Sequence, residues 1–238
     1  MVNKHFPNHK IIAVIPARMG SKRIPKKNII DFLGKPMIQW TIEQALQSDC
    51  FDKVFVSTDS EEIANIAKLN GAKVPVLRSY AVDDFSPVSE ATLSAVNQLE
   101  SLWGKFDVVV QLMANCPLRK ASQIKNSIDS FFSNDFNSQI SFFKYGFMNP
   151  WWAHQIKNNR PKPIFQKFIK QRSQDLPDLY CPTGAIWISK VSSLHKHKTF
   201  YAPKYGIFKM DWISAIDIDD YDDLEMAKVL VQYLTKKD

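Results

Sequence analysis

The chain has 238 residues, of which 45% are hydrophobic, 23% charged and 12% aromatic. That balance excludes disordered, collagenous and low-complexity classes, and a length below the roughly 250 to 300 residues at which cores split suits one large domain or a domain with an insertion. Lys plus Arg number 31 against 24 Asp plus Glu, and the resulting charge of +7 mildly favours an anionic ligand. The cations are spread along the chain rather than gathered in a stripe with interleaved aromatics, so nucleic acid is not an expected partner. Cys50, Cys116 and Cys181 are too few and too scattered for a disulfide framework, and no CxxC pair offers zinc spacing, which fits a reducing compartment. No apolar run approaches the roughly 18 to 20 residues of a membrane span and residues 1–10 are polar, so a cytoplasmic protein with no membrane partner is expected.

In chain order, residues 11–15 form a continuous β-branched run ending at Pro16, the pattern of a strand buried on both faces. Ile38, Ile42, Ala45 and Leu46 recur at helical spacing over 37–47, and 54–57 reads as a second short strand. Asp59 or Ser60 can cap the next helix, whose stripe of Ile63, Ile66, Ala67 and Leu69 stops at Gly71; a third strand is predicted over 74–77. Ser86 and Ser89 offer caps for a helix through Leu102, and 106–113 returns as an apolar strand. Ile124, Ile128 and Phe131 mark another helix and 140–143 another strand. This alternation predicts an α/β core, a mostly parallel sheet with helices on both faces.

From residue 146 the texture changes. Pro150, Pro161, Pro163 and Pro177 break long elements, and Trp151, Trp152, Phe165 and Phe168 are interspersed. An insertion over 146–205 is therefore expected between core segments 1–145 and 206–238, its aromatics packed on the core or on a second subunit. Strands are predicted at 185–189 and 207–210, then an apolar-acidic extended run at 215–219 and a last helix over 221–234 with Leu224, Ala227, Val231 and Leu234 on one side.

The most informative stretch is Pro16-Ala17-Arg18-Met19-Gly20-Ser21-Lys22-Arg23-Ile24-Pro25-Lys26-Lys27-Asn28, which places five cations within ten residues directly after a buried strand. A loop at the carboxyl end of a parallel strand is where open α/β sheets bind ligands, and backbone amides with Arg and Lys side chains suit a polyphosphate. The pattern is neither GxxxxGK[ST] nor GxGxxG, which argues against P-loop ATPases and dinucleotide dehydrogenases. Near the other end, Asp217 and Asp219 lie two apart, so on a strand both carboxylates face one way and can reach one ion. Asp220, Asp222 and Asp223 read as caps of the last helix. His195 and His197, flanked by lysines and lacking a third ligand, read as a solvated pair.

The first motif has the form IPARxGSKxxPxKN, and with Val56-Ser57-Thr58-Asp59, Leu77-Arg78, Cys116-Pro117-Leu118-Arg119, Thr183-Gly184-Ala185-Ile186 and Ile216-Asp217-Ile218-Asp219 in order, the chain resembles the acylneuraminate cytidylyltransferases, the CMP-sialic acid synthetases. The resemblance spans nearly the whole chain. It implies a Rossmann-like sheet of the nucleotide-diphospho-sugar transferase type with an inserted dimerisation segment, hence a homodimer. It further implies transfer of CMP from CTP to the anomeric hydroxyl of a nine-carbon 2-keto-3-deoxy sugar acid, with release of pyrophosphate and Mg²⁺ as cofactor. Related readings are a synthetase for an eight-carbon keto-deoxy acid, a sugar-1-phosphate nucleotidyltransferase, and a noncatalytic nucleotide-sugar binding protein.

By that match Arg18, Ser21, Lys22 and Lys27 hold the triphosphate and Asn28 lies close to the nucleotide, with Lys22 and Arg18 stabilising charge at the reacting phosphates. Asp217 and Asp219 hold the metal, and Asp217 can assist removal of the sugar hydroxyl proton. Arg78 corresponds to a base-side or ribose-side contact, Asp59 to a nucleotide contact or a plain cap, and Arg119 to a tether of its own turn. Thr183 and Gly184 fall on the sugar side. Two departures matter. Met113-Ala114-Asn115-Cys116 replaces a Gln-bearing stretch, leaving base recognition to Asn115, Gln111 or backbone groups, because a thioether cannot read a base edge. Cys181 stands where relatives carry Arg, and Arg172 is the replacement candidate for the sugar carboxylate. The stretch around Arg172 resembles synthetases for bacterial pseudaminic- and legionaminic-type acids.

Overall fold

A strand with six successive residues out of water needs protein on both faces, and Ile11 through Pro16 are all buried. The computed structural model describes residues 3–80 and 86–235. The chain runs through β1 (Ile11–Pro16), the small hairpin of β2 (Asp31–Phe32) and β3 (Lys35–Pro36), α1 (Met37–Gln47), β4 (Lys53–Ser57) and α2 (Glu61–Leu69). It continues with α3 (Val88–Trp103), β5 (Val108–Gln111), α4 (Ala121–Ser133) and β6 (Ser138–Lys144), then a hairpin of β7 (His154–Lys157) and β8 (Arg160–Pro163). It ends with β9 (Tyr180–Lys190), α5 (Val191–His197), β10 (Gly206–Met210) and α6 (Tyr221–Thr235).

Six strands form the central sheet in the order β10-β6-β9-β5-β1-β4. β1 pairs in parallel with β4 and β5, and β10 with β6, while β9 runs antiparallel between β5 and β6. The fold is thus the Rossmann-like, mostly parallel α/β sheet that the alternation predicts. Both faces are covered. Ile11, Ala13 and Ile15 pack with Ile38 and Ile42 of α1, Ile63 and Ala67 of α2, and Ile124 and Phe131 of α4. Ile12 and Val14, alternate residues of the same strand, pack with Val96 and Leu99 of α3 and Val191 and Leu194 of α5. A third, smaller core joins Ile24, Phe32 and Met37 to Ile216, Ile218, Leu224 and Ala227, and so fastens α6 and the segment before it beneath the first loop.

Three expectations are corrected. Residues 74–77 do not form a strand: Lys73 bridges to β4 through Lys73 N to Val54 O at 2.8 Å and Val56 N to Lys73 O at 3.1 Å, and there the ladder stops. Pro75 has no amide to continue it. Residues 215–219 form no strand: Ala215 ends a turn and 216–219 are irregular, with Ile218 N donating to Asn115 O at 2.9 Å. The insertion is narrower than 146–205, because β9 lies inside the central sheet and α5 packs on it; 146–179 alone departs from the core. Within that arm Trp151 is the hub, with ring centroids 5.1 Å from Phe165 and 4.3 Å from Phe168, and its indole N–H donates to Pro177 O at 2.8 Å.

Candidate active site

The carboxyl ends of β1, β4 and β5 open onto one edge of the sheet, and the loops that follow line a cleft of about 520 Å³. Its walls include Arg18, Gly20, Ser21, Lys22, Arg23, Lys27 and Asn28 from the first loop, Arg78 from the loop after α2, and Asn115, Asp217 and Asp219 from the far side. The sequence-predicted cationic loop and the two late aspartates therefore share one space.

The first loop is held by bonds to β4 and Asp59 and by one side chain of its own, Asn28. Ala17 N donates to Ser57 O at 2.9 Å, Met19 N to Asp59 Oδ1 at 2.9 Å, and Asn28 Nδ2 to Arg18 O at 2.9 Å. Ile24, fully buried, anchors its middle in the third core. At its end Lys26 adopts φ +54°, and its carbonyl accepts from Ile29 N at 2.9 Å and Ile30 N at 3.1 Å. Asn28, expected near the nucleotide, thus also shapes the loop. Asp59 is not the helix cap; Ser60 Oγ accepts from Ile63 N and caps α2, which frees the carboxylate to fasten Met19. No local pattern distinguished that role, since the partner lies 40 residues earlier.

Arg78 is buried at the cleft wall, its amide donating to Thr58 O at 2.7 Å. Burial lowers its pKa, the charge of Asp59 opposes that effect, and Arg18 adds to it. Its Nε has no partner among the described residues. A guanidinium kept in the cleft at such a desolvation penalty is suited to an anionic or acceptor-rich ligand.

On the far side the expected alternation survives without the strand: Ile216 and Ile218 turn into the third core while Asp217 and Asp219 face the cleft. Asn115 Nδ2 donates to Asp217 Oδ1, to Ile218 O at 3.1 Å and to Asp219 Oδ1 at 3.4 Å, so one amide bridges both carboxylates. Asn115, expected at the base, is committed to the acidic pair. Burial and then the neighbouring Asp219 push the Asp217 carboxyl up to about 6, with Lys27 partly opposing. Asp219 behaves oppositely. Burial would raise it, but Lys27 at 2.7 Å and Arg23 at 2.7 Å together hold it below the usual carboxylate range. Lys27 therefore ties the two walls together. Two of the later acids act as caps, as expected: Asp223 Oδ2 accepts from Asp219 N and Asp220 N, and Asp220 Oδ1 accepts from Asp223 N, while Asp222 adds a negative charge to the first turn of α6.

A second compartment of about 270 Å³ adjoins the first, sharing Val88, Met113 and Asp217 and adding Pro182, Thr183, Gly184, Trp187 and Tyr201. Thr183 and Gly184, expected on the sugar side, line this second compartment, and the Thr183 hydroxyl donates to Ala215 O at 2.8 Å. Trp187 and Tyr201 escaped sequence reading, because an aromatic residue on or after a strand carries no sign of the side it faces. Arg172 is not brought here. It is exposed on the arm and paired with Asp175 at 2.7 Å, outside both compartments. Gln111 is turned away as well, its amide oxygen accepting from Thr92 Oγ1 of α3 at 2.6 Å. Arg119 is the tether expected of it. It is fully buried, with one amino group at 2.6 Å from Ala185 O and the other at 2.9 Å from Thr41 Oγ1, and burial lowers its pKa to about 10.

No helix among the described residues is long and apolar enough to cross a membrane. The cytidylyltransferase family model matches residues 12–176. A pseudaminic acid cytidylyltransferase of Campylobacter jejuni is 36% identical over 224 residues, covering 93% of this chain and 96% of that protein. A CMP-N,N'-diacetyllegionaminic acid synthase of Legionella pneumophila is 33% identical over 227 residues, covering 94% and 97%. The solved structure of a CMP:2-keto-3-deoxy-manno-octonic acid synthetase complexed with CTP superposes with a TM-score of 0.71 at 18% identity, over 94% of this chain and 99% of that one, and shares the fold. The motifs, the sheet and the extent of these matches agree: the chain belongs to the cytidylyltransferase family and is a nucleotidyltransferase.

Proposed function

We propose that this enzyme transfers CMP from CTP to the anomeric hydroxyl of a nine-carbon nonulosonic acid, with Mg²⁺ as cofactor. The observation that carries the reading is the two-part cleft: cations of the first loop and the Asp217–Asp219 pair line one space of about 520 Å³, joined at one side by Lys27 and Arg23, and a second, less polar compartment opens beside Asp217. The first part suits a nucleoside triphosphate and the second suits the acceptor. The names of the relatives from C. jejuni and L. pneumophila support a sugar acid of the pseudaminic or legionaminic type. A reaction that consumes CTP belongs where that nucleotide is made, so the cytoplasm is the expected compartment.

The reaction is an in-line displacement. The acceptor oxygen forms a bond to the α-phosphorus, the bond to the bridging oxygen breaks, and pyrophosphate departs while the hydroxyl proton is lost. Arg18, Ser21, Lys22 and the loop amides stabilise charge on the phosphates, and Lys22 is the residue we assign to the departing oxygens. To Asp217, which lines both compartments, we assign the hydroxyl proton. The donor set fits a magnesium site: two like charges, unequally desolvated and bridged by a single amide, supply the one or two carboxylates that Mg²⁺ takes from a protein. Asp217 and Asp219 would hold the ion, which when bound neutralises phosphate charge.

Among the described residues the acceptor compartment has no cation in its lining, yet the proposed acceptor is a carboxylate. Arg172 stands on an arm whose Phe147 is 89% exposed and Ile156 68% exposed. In a homodimer joined through these arms, Arg172 of a second copy is our candidate for that carboxylate. The deciding experiment is pyrophosphate release from CTP across nine-carbon acids, an eight-carbon keto-deoxy acid and sugar 1-phosphates. Turnover with the nine-carbon acids is expected. A preference for a sugar phosphate, or tight CMP-sugar binding with no pyrophosphate formed, would overturn the reading.

A further inference from the structure

The two compartments meet at Met113, and the chain is built around that side chain. Its backbone is fixed by Met113 N to Gly184 O at 3.3 Å, and Met113 O accepts from Thr41 Oγ1 at 3.3 Å and from the buried Arg119 at 3.4 Å. From below, Gln111 Nε2 reaches the thioether sulfur at 3.9 Å. A Cβ added at Gly184 would lie 2.8 Å from Met113 Cγ and 3.5 Å from Asp217 Oδ2, so glycine at 184 leaves the space that the Met113 stem fills. On the acceptor side, Met113 continues a wall of Val88, Pro182, Trp187 and Tyr201. Among the described residues of that wall, the side-chain groups that can match a hydroxyl are the indole N–H and the phenol, and the Trp187 indole is already donating to Thr183 O at 2.7 Å.

Resting on the function proposed above, we infer that Met113, seated by Gly184, is a specificity-determining residue for the acceptor. It turns apolar surface toward the sugar acid and thereby favours acceptors that present methyl or acylamino groups over acceptors that present a run of hydroxyls. A hydrophobic wall discriminates modestly, by about 10- to 200-fold per group, because it can match a methyl but only weakly rejects an added hydroxyl.

The test measures kcat/KM for two nine-carbon keto-deoxy acids, one ending in a methyl group and carrying two acylamino groups, the other ending in a glycerol chain. The wild type is expected to prefer the first by roughly 10-fold or more. Met113→Gln should cut that ratio about 10-fold, with the KM for CTP moving less than the KM for the acid, while Met113→Leu, which keeps an apolar wall, retains the ratio. Gly184→Ala should lower kcat/KM for both acids, and adding Met113→Ala should recover much of that loss, a rescue that a general folding defect would not show. The inference is overturned if Met113→Gln leaves the ratio unchanged, if its KM for CTP rises as much as that for the acid, or if the double variant recovers nothing. Absence of CTP-dependent turnover with either acid in the wild type would instead sink the function on which it rests.

Discussion

The first loop, 17–28, and the arm, 146–179, both carry several lysines and both leave the central sheet, the loop with little regular structure and the arm with a short hairpin and single 3-10 turns, yet they are held in opposite ways. The loop is fastened from outside itself: β4, Asp59 and the third core each hold a different part of it, so its cations point into a fixed space. The arm is fastened from within. Trp151, Phe165 and Phe168 hold one another, β7 and β8 pair only together, and Phe147, Met148, Ile156 and Ile164 remain exposed. Irregular backbone is therefore no guide to rigidity. What matters is whether its hydrogen bonds and apolar contacts end in the core.

Substitutions can break that contrast at graded strengths. Lys22→Ala, which removes a cation from the fixed loop, is expected to lower kcat by about 10²-fold or more with little change in thermal midpoint, since stabilisation of developing charge is lost. A loss of a few-fold that fades as salt rises would mean that Lys22 only steers CTP. Next come the fasteners. Asn28→Ala and Asp59→Ala are each expected to raise the KM for CTP roughly 10-fold, the equivalent of one hydrogen bond, while Asp59→Asn, which keeps an acceptor for Met19 N, is expected to recover most of that loss. Equal effects of Asp59→Asn and Asp59→Ala would show that the charge beside Arg78, not the bond to Met19, is what counts.

The arm should respond differently. Trp151→Ala is expected to speed amide exchange across 146–179 while the central strands keep their protection, because the aromatic cluster does not extend into the core. Loss of protection throughout the sheet would make the arm part of the core after all. Smallest of all is Lys26→Gln. Its ion pair with Glu62 at 2.8 Å is exposed on both sides, and breaking it is expected to change stability by less than about 1 kcal/mol in chemical denaturation.

The sequence made legible whatever follows from periodicity or from a single contiguous motif. The buried run of β1, the helical stripe of α1, the capping acids before α6 and the cation cluster after β1 are all where residue patterns put them. It misled where a pairing partner decided the outcome. Pro75 ended a ladder that 74–77 appeared hydrophobic enough to extend, and β9, after a proline-rich tract, re-entered the sheet instead of staying in the insertion. Site residues divided the same way. Asp217 and Asp219 could be found from their spacing, whereas the Asn115 amide that bridges them, the Asp59 contact with Met19 and the Met113–Gly184 fit depend on neighbours 40 to 104 residues away.

The arm leaves through β6 and returns through β9, which are adjacent and antiparallel, with Lys144 opposite Tyr180 and Tyr145 N bonded to Leu179 O at 3.0 Å. Topologically, the whole protrusion is the tip of one oversized hairpin. Its two roots stay neighbours whatever lies between them, so natural variation can lengthen, trim or exchange the tip without a single change of register in the sheet. A catalytic scaffold built on such a stem is free to acquire new partners while its chemistry stays put.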